Sequence, residues 1–200
     1  TLMVPLYLPM TLDEAPTSGT TPTFFGGINV YLSQVSRLHR HAPAFVRRWL
    51  DAPALLRWAA GRAAKTRAED VGELTVSMLR GEEGHQRREL AEMIEWFRTL
   101  PRPDYVLLSN ALLLGFTREL KARLGTRVAC FLQSEESFLD AMAEPHRTAA
   151  WRELAQRARD VDVWIAPTAY FARRMERRLG LPEGRVQVVF NGIALDGYRE

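Results

Sequence analysis

Four short segments hold residue types suited to binding anions or hydroxyl groups: Gly26-Gly27 with Asn29, Gln133-Ser134-Glu135-Glu136, Thr168, and Asn191-Gly192. Paired glycines ahead of a helical pattern let the backbone approach a ligand closely. Free N–H groups at a helix start then favour an anion such as phosphate. The same pair also serves as an ordinary tight turn, and no GxGxxG or Walker pattern accompanies it, so neither a dinucleotide fingerprint nor a P-loop is indicated. Gln133 to Glu136 combine an amide, a hydroxyl and two carboxylates, which can exchange hydrogen bonds with sugar hydroxyls. They read equally well as a helix start, with Ser134 as N-cap and Glu136 and Asp140 in the following turns. Thr168, within Ala166-Pro167-Thr168-Ala169-Tyr170, has the N-cap pattern. Asn191-Gly192 is a common turn pair whose weight comes from its position after a strand.

Other reactive residue types read as structural. His39, His41, His85 and His146 lack metal-ligand spacing, no Ser-His-Asp order is present, and Cys130 lies in an apolar run as a small core residue. The arginine pairs Arg47-Arg48, Arg87-Arg88, Arg173-Arg174 and Arg177-Arg178 read as solvated helix faces, with contact to anionic lipid as the alternative.

The segments need a frame that brings them together. Leu2 to Leu8 reads as a buried strand, 11–23 as a loop, and the segment after Gly26-Gly27 as a helix. Two helical segments then follow between 44 and 66. Next come strand 73–79, helix 87–100, strand 105–108, helix 112–124 closed by Gly125, strand 127–132, helices 135–142 and 146–159, strand 161–166, helix 169–179 ending at Gly180, and strand 186–190. Alternating strands and helices predict a Rossmann-like α/β fold, a parallel sheet with helices on both faces. The apolar strands 128–132 and 186–190 read as buried on both sides. In such a sheet ligands gather beyond the carboxyl ends of the strands, which is where the four segments are expected to fall.

Composition narrows the function classes. The chain has 200 residues, 46% of them apolar and 26% charged, with a net charge of +3. That is ordinary for a globular domain and carries no basic excess of the kind that binds nucleic acid. One cysteine excludes an intrachain disulfide and a cysteine-type zinc site, and fits a cytoplasmic setting. Residues 1–10 lack the layout of a signal peptide.

Taken in order, the segments resemble the amino-terminal domain of family 4 glycosyltransferases, which have the GT-B fold. Gly26-Gly27 matches that family's turn facing the nucleotide-sugar diphosphate, and Phe131-Leu132-Gln133-Ser134-Glu135 matches its strand ending in a polar residue. Val161 to Thr168 matches its next strand and helix start, and Val186 to Ile193 with Asp196 matches its passage into a second domain. Gln133 stands where the family usually has histidine. The resemblance implies an acceptor-side domain over 1–196, with 197–200 beginning a linker to a donor-binding domain. It implies retaining, hexosyl-type transfer from a nucleotide-sugar, with neither metal nor cofactor, to a glycan or lipid-linked acceptor. Gly26 and Gly27 would face the diphosphate. Asn29, Gln133, Ser134, Glu135, Glu136, Thr168, Asn191 and Gly192 would line the acceptor or sugar site, and the chain alone would show no turnover. A non-catalytic α/β binding module and a GT-B-type sugar-nucleotide epimerase are the competing readings. The stretch 43–66, rich in tryptophan, leucine and arginine, packs on the sheet or touches the inner membrane face.

Overall fold

The computed structural model describes residues 2–4 and 68–192. Helices α1 (Ala68–Leu79) and α2 (Arg87–Arg98) precede strand β1 (Tyr105–Leu108). A 3-10 turn (Ala111–Phe116) leads into α3 (Thr117–Leu124) and β2 (Arg127–Phe131). Then come α4 (Glu135–Asp140), α5 (His146–Arg157), β3 (Val163–Ala166), α6 (Ala169–Leu179) and β4 (Val186–Val188). The strands form one parallel sheet in the order β1-β2-β3-β4, the Rossmann-like α/β architecture expected from the alternation.

Several boundaries follow from local chemistry. Both α3 and α6 end at a glycine in the left-handed region, Gly125 at φ 63° and Gly180 at φ 64°, where a side chain would be strained. In α6, Phe171, Ala172, Met175 and Leu179 form the buried stripe while Arg173 and Arg177 face water. The Thr168 hydroxyl accepts the Phe171 N–H at 3.1 Å, the predicted N-cap. Thr168→Ala should cost about 1 kcal/mol, seen as a thermal midpoint lowered by roughly 2–4 °C. An unchanged midpoint would show that water replaces the cap.

The segment 73–79, expected as a strand, is the last part of helix α1. Its apolar run is too short for periodicity to separate strand from buried helix, and Thr75 and Val76 biased the reading toward strand. Tertiary packing decides it. Residues 75–79 are all buried, because α1 lies between α5 and the Ala111–Phe116 turn. The Thr75 hydroxyl donates to the Val71 carbonyl at 2.8 Å, which hides its polar group inside the helix.

With right-handed crossovers, the sequential strand order places α3 to α6 on one face of the sheet. Val128, Cys130, Trp164, Ala166 and Val186 are buried beneath them. On the opposite face Leu107 is 57% exposed, and Val163 and Ile165 are half-buried. The helices expected between 26 and 66 lie outside the described residues.

Strand 186–190 is not buried on both sides. Of this run only Val186 enters the core; Val188, Val189 and Phe190 are exposed. The strand borders the described sheet, so one side has no neighbouring strand among the described residues, and its apolar run alone did not report this. Leu2 to Val4, read as the start of a buried strand, take no regular structure, and Leu2 and Met3 are exposed.

Candidate functional site

The parallel sheet places Gln133 just past β2, Thr168 just past β3 and Asn191-Gly192 just past β4, so three predicted segments gather at the carboxyl edge. Gln133, Ser134, Thr168, Asn191 and Gly192 are exposed there; Glu135 and Glu136 are buried. Gly26, Gly27 and Asn29 lie outside the described residues.

Ser134 occupies the N-cap position of α4 but makes no capping hydrogen bond. Its backbone is left-handed, φ 61° and ψ 27°, whereas a capping side chain works from the extended region. The polar duty at this helix start falls to Glu135. Its Oε1 accepts the Ala111 N–H at 2.7 Å and its Oε2 accepts the Gln133 N–H at 2.8 Å. Burial pushes the Glu135 carboxyl up from its ordinary value, the N–H groups of Ala111, Glu135 and Gln133 pull it down, and the Glu136 charge adds to the rise. Burial also raises the neighbouring Cys130 thiol, as expected of an inert core cysteine.

Glu136 faces α6. Its Oε1 lies 3.6 Å from the Arg174 Nε, and Arg174 Nη1 donates to the Tyr170 hydroxyl at 2.9 Å. One turn further on, Asp140 accepts from the Trp151 indole at 2.9 Å and from Arg178, whose guanidinium lies 4.1 Å above the Trp151 ring. Desolvation pushes the exposed Asp140 carboxyl up, but the Trp151 and Arg178 hydrogen bonds and the charges of Arg178 and Arg174 outweigh it, and the net direction is down.

Arg174 and Arg178, read from sequence as solvated, are therefore the partners of the α4 acids. The spacing carried a signal: Glu136 and Asp140 are four apart, as are Arg174 and Arg178, so each pair shares one face of its own helix. Asp140, Arg147, Thr148, Trp151 and Arg178 also line an open hollow of about 530 Å³. Among the described residues no group of three or more His, Cys, Asp or Glu side chains gathers as a metal site would need.

Exposed amide and hydroxyl groups thus stand beyond the strand ends, beside a buried acid that holds backbone N–H groups of two loops. Residues 25–196 match Glycosyltransferase Family 4. The chain belongs to that family. No curated protein and no solved structure matches it. The match covers the strand-end segments of this family 4 glycosyltransferase domain and reaches past Asn191-Gly192. Among its described residues, no helix is long and apolar enough to cross a membrane.

Proposed function

We propose that this family 4 domain is the acceptor-side half of a retaining GT-B glycosyltransferase that moves a sugar, of hexosyl type, from a nucleotide-sugar to a glycan or lipid-linked acceptor. The observation that carries the reading is the placement of Gln133, Ser134, Thr168 and Asn191 on successive strand ends, within the span that matches the family. Gln133 donates and accepts through its amide and so suits a sugar hydroxyl, but it cannot take a proton as an imidazole does. Its part is to orient the acceptor.

Chemistry of this class must stabilise a departing diphosphate and an oxocarbenium-like sugar. Gly26 and Gly27 would face the diphosphate, and a second, donor-binding domain would supply most of the countercharge. No metal or cofactor is needed in this scheme. The reaction is proposed to take place in the cytoplasm, at the membrane where the acceptor is lipid-linked.

A screen of radiolabelled nucleotide-sugars against glycan and lipid acceptors tests the reading. The expected result is sugar transfer and nucleotide release by the protein carrying a donor domain, and no transfer by the 200 residues alone. Absence of both signals for every donor and acceptor would overturn the activity. Turnover by the 200 residues alone would overturn the need for a second domain.

A further inference from the structure

We infer that Glu135 is a positioning residue for this cleft: its buried carboxylate ties the loop leaving β1 to the loop leaving β2 and so sets where Gln133 stands. The consequence for activity rests on the transferase reading; the tie itself does not.

The geometry is specific. Glu135 is 3% exposed, and each carboxylate oxygen serves a backbone N–H from a different strand end. Oε1 reaches Ala111, the first residue of the 3-10 turn after β1, and Oε2 reaches back to Gln133, just past β2. Gln133 has its own N–H held while its side chain is exposed, so the root of that side chain is anchored and its amide is left for a ligand. The link between them, Ser134, sits in the left-handed region at φ 61°, a conformation a non-glycine residue holds only when its surroundings impose it.

Among the described residues, two acids hold backbone N–H groups of strands, and they show why Glu135 differs. Asp162 accepts the Val128 N–H at 2.8 Å and Glu176 accepts the Val186 N–H at 2.9 Å. Both act at strand beginnings, away from the ligand edge. Glu135 acts beyond strand ends and joins two loops, so its loss would be felt where an acceptor would bind.

The side-chain chemistry makes the idea sharp. Glutamine keeps one acceptor oxygen but turns an –NH₂ toward the second backbone N–H, leaving two donors facing each other. Alanine removes both acceptors. Glu135→Gln and Glu135→Ala should therefore form a graded series. Backbone amide exchange is expected to rise about tenfold or more at one of Ala111 and Gln133 in the glutamine variant, and at both in the alanine variant. Val128 and Trp164 amides should keep their protection in the glutamine variant. With the nucleotide-sugar and acceptor identified by the donor screen, the acceptor KM should rise and kcat fall, while donor KM is unchanged.

Unchanged exchange at Ala111 and Gln133 in both variants would overturn the tie. Raised local exchange with unaltered acceptor kinetics would reduce Glu135 to a structural clamp and overturn its positioning role. If the unsubstituted protein carrying a donor domain transfers no sugar, the transferase reading fails, and the anchoring of Gln133 is then judged by its amide exchange alone.

Discussion

Replacing Arg157 by alanine is expected to destabilise the fold by about 3 kcal/mol, read as a lower urea midpoint with an unchanged slope. Arg157 is 1% exposed at the end of α5. Its Nη1 donates to both oxygens of Glu82 at 2.8 Å, and its Nη2 donates to the Arg80 carbonyl. One guanidinium thus holds the stretch just after α1 against the end of α5, and its aliphatic stem fills the space between. Removing it takes a donor from the Arg80 carbonyl, which keeps the Glu83 N–H, and the closest cation from Glu82, and it opens a cavity. The loss stays near the lower end of the range for broken buried pairs, because Glu82 is 29% exposed and retains Arg118 at 3.7 Å. Arg157→Met, which restores volume but not charge, should recover part of the loss. If the methionine variant were as unstable as the alanine variant, packing would contribute nothing and the effect would be wholly electrostatic.

Gly115→Ala is expected to cost about 3 kcal/mol, which lowers the thermal midpoint by roughly 10 °C for a domain of this size. A Cβ at position 115 would lie 1.9 Å from the Met78 carbonyl oxygen, 2.9 Å from the Gly81 nitrogen and 3.0 Å from the Leu79 oxygen. All three are backbone atoms, so no rotamer change can relieve the contact. The end of α1 would have to part from the Ala111–Phe116 turn, which would open the core around Leu79 and Leu114, both fully buried. Alanine costs no more than an ordinary surface substitution only if these two segments can separate freely. A midpoint within a degree or two of the unsubstituted protein would show that.

Much of the frame was legible from local chemistry. Gly125 and Gly180 marked helix ends because a left-handed residue is needed there, and Thr168 marked a helix start because its hydroxyl reaches an otherwise unpaired N–H. The apolar face of α2 followed from helical spacing. The fold class came from the order of elements, and the strand-end position of the candidate segments from the rule for parallel sheets.

What the sequence could not decide was set by neighbours far along the chain. Residues 73–79 are helical because α5 and the 111–116 turn enclose them, not because of their own propensity. Val188 to Phe190 are exposed because burial depends on which strand lies alongside, and composition does not encode that. At the rim, composition alone showed polar residues able to meet a sugar. Only the tertiary structure separated their parts, because Ala111 is brought to Glu135 across 24 positions of chain. That long-range hydrogen bond turns one of two adjacent acids into a brace between loops, while Glu136 turns to Arg174. Types and spacing determined what chemistry these residues can do; the packing of β1 beside β2 decided which of them stand free to do it.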